Sequence, residues 1–374
     1  MKKIGCWLTV SLFVLLAGCL PQQDSEEEIL QNDPEAEQET SIVPSHRLNE
    51  ENYGIITPYE VSEARGVITN QVANRLDIDE LEEGLRRHSK DVFDPETYYF
   101  QEGQYLTESM VFSLIDDLNP QIDDEDLDPD EEMEFHGDNP RYLSHILEQN
   151  FLQRRDDDSV ELAGISIGIA MKSVYRFQVD GIDDQEEISE SEMLAQGEEM
   201  AQEILDYIRE IEGLGNIPVM MTIYREAEQS SPIPGNFVVK TTVDGGSNSI
   251  GDWESLGEEY ILFPSDEGRE KYFDDHEVVS SFGNEIAQFF PNYVGIIGEG
   301  FYIDEELQRL SIEIPLEFHG KSEVIGFTQF AYSLVQEMFE NYFELEIKAT
   351  SSNEVESLIY RPVNADSPTV HIFH

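Results

Sequence analysis

The chain has 374 residues, length for two or three domains, and carries 80 Asp plus Glu against 22 Lys plus Arg, a net charge of −58. Nucleic acids and anionic membrane surfaces require a positive footprint, so that balance excludes unaided binding to either. With 39% apolar residues, 20 Phe and 16 Tyr the chain can bury a core, while its two cysteines, Cys6 and Cys19, leave the body without a disulfide or Cys-based metal site.

The N-terminus reads Met1-Lys2-Lys3, then an apolar run from Ile4 to Ala17 broken by Gly5, Thr9 and Ser11. Residues 1–18 therefore read as a secretory signal peptide, shorter than the roughly 20 residues that span a bilayer. The run exits through Leu16-Ala17-Gly18-Cys19, a lipobox. Small residues admit the signal peptidase, and only the Cys thiol supplies a nucleophile for a diacylglyceryl group. Cleavage between Gly18 and Cys19 is expected to leave Cys19 as a lipidated first residue. Its acyl chains, at about 0.8 kcal/mol per buried CH₂, would hold the protein to the extracytoplasmic face of the cell membrane. Residues 19–52 are acidic and poor in aromatics, which predicts a disordered tether.

From residue 53 the pattern predicts an α+β body. Asp77 to Lys90 has a helical period with Leu81, Leu85 and His88 on one face, ending at Phe93-Asp94-Pro95. Thr97 to Phe100 reads as a strand, and Val160 to Phe177 as one long alternating strand. Between them, residues 107–159 read as an insertion holding the acidic run Asp123 to Glu132 and a helix over Asn139 to Leu147. Ser189 to Ile211 forms an amphipathic helix opened by a Ser-x-x-Glu capping box at Ser189 and Glu192 and closed by Gly213. Strands follow at Pro218 to Tyr224 and Asn236 to Val243.

The order then recurs: a helix over Asp275 to Phe289, strands at Tyr293 to Ile297 and Gln308 to Phe318, and a helix over Ser322 to Asn341. Strands at Phe343 to Ala349 and Thr369 to Phe373 close the chain. Glu102-Gly103-Gln104-Tyr105-Leu106 echoes Glu299-Gly300-Phe301-Tyr302-Ile303, and Ile165-Ser166-Ile167 echoes Leu310-Ser311-Ile312. The expected body is two tandem divergent α+β repeats of mixed or antiparallel sheets with packed helices, over residues 53–243 and 244–374.

No catalytic set converges. Gly164-Ile165-Ser166-Ile167-Gly168 has the lettering of a nucleophile elbow, but the apolar alternation runs through it without the required strand-to-helix turn, so it reads as a strand with small outward-facing residues. An EF-hand loop begun at Asp124 fails at Pro129, where Gly is needed, and at Phe135, where Glu is needed. The eight histidines lack zinc spacing and read as surface or boundary residues. No cofactor or metal site is expected. The best recognition candidate is the loop from Tyr59 to Gly66, in which Tyr59, Glu60 and the scarce cation Arg65 could orient an anionic group, or Arg65 could pair with Glu60 or Glu63 to fix the loop.

Several words resemble the CamS-type sex-pheromone lipoproteins of Gram-positive bacteria. They are Ile56-Thr57-Pro58-Tyr59-Glu60-Val61-Ser62-Glu63-Ala64-Arg65-Gly66, Tyr98 to Leu106, Asn139 to Gln149 and Gly164 to Gly168. The resemblance implies a membrane-anchored lipoprotein with a tandem α+β body, and supplies no catalytic residues. It also implies that the signal peptide can yield an apolar heptapeptide inducing conjugative plasmid transfer. The corresponding stretch is Leu12-Phe13-Val14-Leu15-Leu16-Ala17-Gly18, which keeps the apolar run and the Leu-Ala ending but departs from active peptides in its first residue and its final Gly. A pheromone and an ordinary signal-peptide remnant both fit it. The function expected is a non-enzymatic lipoprotein whose body binds an unknown extracytoplasmic ligand or protein. The alternatives are a wall-polymer hydrolase using carboxylates and a solute-binding lipoprotein.

Overall fold

The computed structural model describes residues 27–31, 40–43, 52–122, 127–155, 159–290, 292–317, 320–352 and 354–373. The signal peptide, the heptapeptide Leu12 to Gly18, the cleavage point at Gly18 and the lipidation residue Cys19 lie outside them, as does most of the tether.

The described elements begin with strands β1 (Glu27–Gln31), β2 (Thr40–Val43) and β3 (Gly54–Ile55), helices α1 (Arg65–Gln71) and α2 (Arg75–Ser89), and strand β4 (Tyr99–Glu102). Next come α3 (Glu108–Leu118), α4 (Pro129–Asp138), β5 (Leu143–Arg154), β6 (Ser159–Met171), β7 (Val174–Val179), β8 (Ile182–Glu187) and α5 (Glu190–Glu210). Strands β9 (Val219–Arg225), β10 (Asn236–Val243) and β11 (Glu254–Ser255) complete a larger sheet, ordered β11-β10-β9-β6-β5-β4-β3, with β1 lying parallel against the start of β6 and β2 paired to β1. The smaller sheet runs in chain order through β12 (Glu258–Phe263), β13 (Ile297–Ile303), β14 (Glu306–Pro315), β15 (Glu344–Ser351), β16 (Glu354–Arg361) and β17 (Thr369–Ile372). Its helices are α6 (Asp266–Lys271), α7 (Phe273–Phe289) and α8 (Lys321–Met338). Strands β7 and β8 pair as a hairpin of their own.

Both sheets share one thread. In the larger, hairpin β5–β6 passes through α5 to hairpin β9–β10, with β6 parallel to β9. In the smaller, hairpin β13–β14 passes through α8 to hairpin β15–β16, with β14 parallel to β15. The Ile165 and Leu310 words fall on equivalent strands, β6 and β14. The Glu-Gly words do not: Glu102 ends β4, which is separated from β6 by β5, whereas Glu299 lies within β13, beside β14.

The larger sheet is buried on both faces. Ile165, Ile167 and Ile169 of β6 pack with Met193, Ile204 and Leu205 of α5, and on the other face Leu81 and Leu85 of α2 pack with Phe151, Met220 and Phe237. The smaller sheet has one described core, in which Phe282 and Ile286 of α7 and Phe327 and Val335 of α8 cover Leu310, Ile312 and Ile347.

Several expectations are corrected here. The stretch expected as an insertion, residues 107–159, includes β5, which pairs with β4 on one side and β6 on the other and so is part of the larger sheet. Leu143 to Leu147 is strand rather than helix, since burial on both faces removes the alternation that marks a strand. The long strand from Val160 ends at Met171, and β7 turns away to pair with the acidic β8. The larger sheet also extends past Val243 to β11. At the start of α5, Ser189 accepts the Glu192 N–H at 3.3 Å, but the Glu192 carboxylate takes the Tyr142 hydroxyl at 2.7 Å instead of closing a capping box.

Candidate functional site

The Gly-x-Ser-x-Gly strand lies beneath α2. Ser166 is fully buried and accepts the Ser89 hydroxyl at 2.8 Å. A Cβ at position 164 would lie 2.1 Å from the Phe93 ring, and one at 168 would press on Leu81 and Leu85. The small residues thus face inward and admit the helix, correcting their expected outward orientation; the word is a packing device. Histidines 88, 145 and 276 are likewise buried rather than peripheral.

Beside this helix, a cavity of about 90 Å³ opens between the Tyr59 to Arg65 loop, α2 and β5. Glu102, at the end of β4, lines it. The Tyr59 hydroxyl donates to Glu102 Oε1, the Ser62 N–H donates to Oε2 at 2.8 Å, and Arg65 Nη1 lies 3.4 Å from Oε1. Tyr59 is pushed up to about 12 by burial and by that hydrogen bond. Of the three loop residues singled out in the sequence, Tyr59 and Arg65 line the cavity, with Arg65 about half exposed. Glu60 does not line it; it ties the loop to β4 by accepting the Gln101 amide at 2.9 Å. Arg65 pairs with Glu102 rather than with Glu60 or Glu63.

The inner wall comes from α2 and β5. Glu148, buried on β5, accepts the backbone N–H groups of Gln104, Tyr105 and Leu106 at 3.2, 3.1 and 2.7 Å. Those three consecutive amides form a nest around the carboxylate. The turn needs Gly103, because a Cβ there would lie 2.6 Å from Glu148 Cβ and 2.7 Å from its carbonyl oxygen. Burial pushes Glu148 upward against the pull of those hydrogen bonds. Glu82 of α2 is also raised by burial, with Arg65 and Arg86 pulling it back. His145, also on the wall, is held neutral by burial, its pKa lowered to about 3. The Arg86 guanidinium sits over the Phe100 ring at 5.6 Å. Glu82, Arg86, His145 and Glu148 were not singled out from the sequence. The Gly103 word was the available signal, and the misassigned β5 concealed two of the four.

A second, wider groove of about 660 Å³ separates the two sheets, where Glu190, Glu258, Glu259, Glu267, Asp304 and Glu305 face Arg225 and Lys271. Among the described residues no group of three His, Cys, Asp or Glu is placed to hold a metal ion.

The sequence model of the CamS sex pheromone cAM373 precursor family matches residues 59–367. The chain belongs to this family. Its fold is similar to the crystal structure of a sex pheromone precursor from Lactobacillus salivarius subsp. salivarius UCC118, with TM-score 0.81 and 26% identity over 89% of this chain and 99% of that one. It is also similar to the structure of the C-terminal domain of the sex pheromone staph-cAM373 precursor from Staphylococcus aureus, with TM-score 0.69 and 27% identity over 81% of this chain and 99% of that one. No curated protein matches the chain in sequence. As a CamS family member, the chain has Tyr59, the first residue of the family match, at the mouth of the cavity.

Proposed function

We propose that this CamS family member is a lipoprotein anchored outside the cell through Cys19, whose body is a non-catalytic binding module with its site at the Tyr59 to Gly66 loop. The signal-peptide stretch Leu12 to Gly18 is its candidate pheromone segment, with an ordinary signal-peptide remnant as the alternative. Membership of a sex pheromone precursor family and the lipobox lettering support the anchored precursor. The binding reading rests on the saturation of two of the acids that line the cavity. Glu102 is taken by Tyr59, Ser62 and Arg65, and Glu148 by three backbone amides. Also facing the cavity are the Arg86 guanidinium, the half-exposed Arg65 guanidinium paired with Glu102, and the raised carboxyl of Glu82, over an apolar floor of Phe100, Leu106 and Ile146, a surface suited to a small ligand with an anionic end.

Native mass spectrometry of the protein extracted from its own envelope tests this. A small molecule retained by the wild type and lost in Arg65→Ala is the expected result, and an empty wild type would contradict it. Glu82 motivates the second reading, a carboxylate hydrolase, because its raised carboxyl faces the same cavity. Release of soluble sugars from purified wall polymer, abolished by Glu82→Gln, would replace binding with hydrolysis.

A further inference from the structure

Strands β6 and β9 are parallel neighbours, with Met171 in register with Arg225. The next residues, Lys172 and Glu226, therefore emerge side by side past the carboxyl ends of two parallel strands joined by a helical crossover. That is where open sheets with such crossovers place ligands. The Glu226 N–H bonds the Met171 carbonyl at 2.8 Å and the Lys172 N–H bonds the Tyr142 carbonyl at 2.8 Å, so both backbones are fixed. A cavity of about 150 Å³ opens over them, closed by Gln71 and Ala73 at the end of α1 and by the Ala227 to Gln229 turn. It shares no lining residue with the cavity at Tyr59.

Its two deepest charges are opposite and unjoined. Glu226 is only 4% exposed; the Ser144 hydroxyl hydrogen-bonds its carboxyl, but its Oε1 has no hydrogen-bond partner among the described residues. Lys172 makes one described side-chain contact, with its Nζ 5.5 Å over the Tyr175 ring. The attraction between Lys172 and Glu226 acts at longer range than an ion pair. The other charged groups nearby are already engaged. Arg176 is bound by Glu228 at 2.9 Å and Gln229 at 2.6 Å, and Arg141 by Asp116 at 2.8 Å. Asp77 is taken by Tyr224 at 2.7 Å and by the Gly235 and Ala227 amides at 2.6 and 3.1 Å.

We propose that this cavity binds a small zwitterion, an α-amino acid or short peptide end, with its carboxylate on Lys172 and its ammonium on Glu226. A buried unpaired charge is costly, and a zwitterion satisfies both at once while keeping the site neutral. A simple anion would meet Glu226, and a simple cation would meet Lys172. Burial lifts the empty Glu226 to about 7, so an arriving ammonium displaces a proton from that carboxyl and affinity rises as pH passes from 6 to about 8.

The test is isothermal titration of the full mature chain with L-alanine and alanyl-alanine, alongside acetate, methylammonium and N-acetylalanine methylamide. Saturable binding of the first two and none of the last three is expected, with proton release seen as a dependence on buffer ionisation heat. Lys172→Met and Glu226→Gln should each weaken binding about tenfold or more. Glu226→Gln should melt no lower than the wild type at pH 8, since it removes a buried charge, so a loss of binding cannot be ascribed to unfolding. Absence of saturable binding at roughly ten-millimolar alanine would overturn the proposal and leave a pair bridged only by water. Equal binding of acetate would overturn it in favour of a plain anion site.

Discussion

His145 is nearly wholly buried on β5, and burial alone lowers its pKa to about 3. The unfolded chain protonates the same ring near its ordinary value, so between about pH 6.5 and 3 the unfolded state holds the extra proton. Stability therefore falls as pH drops through that window, by about 1.4 kcal/mol per unit. Urea unfolding at pH 7 and 5 should show His145→Phe losing about 2 kcal/mol less than the wild type. Equal losses would mean the ring is solvated. Gly103 makes a second residue-scale prediction, since the atoms a Cβ would strike there include the Glu148 carbonyl, which cannot rotate away. Gly103→Ala should lower stability by about 1–3 kcal/mol and loosen the amide nest. An unchanged melting temperature would show that the turn is not fixed.

At the scale of elements, α2 carries the most work. Asn74 caps it by accepting the Leu76 N–H at 3.0 Å, and Arg86, Arg87 and His88 favour its last turn. One face packs on the larger sheet, Glu82 and Arg86 reach the cavity, and its end grips the smaller sheet. Arg87 meets Glu258 of β12 at 3.0 Å, His88 meets it at 3.0 Å, and the Arg87 guanidinium lies 4.7 Å over the Phe301 ring of β13. Burial opposes the Glu258 charge, but the His88 and Arg87 bonds outweigh it and hold its pKa below the usual range. That stabilisation is present above about pH 4.5 and is lost as pH falls through the lower folded value. Because it leaves His88 without this partner and Arg87 with Glu80 alone, at 2.7 Å, Glu258→Leu should cost about 1–3 kcal/mol, and the double variant with Arg87→Met should recover part of it. Additive losses in urea unfolding would show that the two side chains do not couple.

Elements also explain what could be read in advance. β14 and β15 alternate buried and accessible residues, so their strands and the α8 crossover follow from apolar period alone. β5 is buried through most of its length on both faces, with Ser144, His145, Gln149 and Asn150 among its inward residues, so neither period nor polarity marked it. β8 has no apolar face at all, and only its pairing with β7 makes it a strand. At the cavity, the loop carrying Tyr59 and Arg65 was legible because Arg is scarce. Its partners Glu102 and Glu148 were not, since a chain with 80 acids gives no reason to prefer two of them.

For the molecule as a whole, the excess of 58 negative charges is the dominant field. Most described ion pairs are solvent-exposed and contribute little each, so they do not offset self-repulsion across the body. Salt does, because the screening length shrinks from about 14 Å at ~0.05 M to about 3 Å at ~1 M. Thermal stability should rise clearly across that range of NaCl, and a flat melting temperature would show that the surface charge is already balanced by the fold. The larger question is where this body resides. As proposed from the lipobox, a lipid on Cys19 holds it at the membrane. Intact mass and N-terminal peptide mass of the chain purified from its own cells decide it. We expect a polypeptide starting at Cys19 and heavier by a diacylglyceryl thioether; an unmodified Cys19 within a chain still beginning at Met1 would contradict the account.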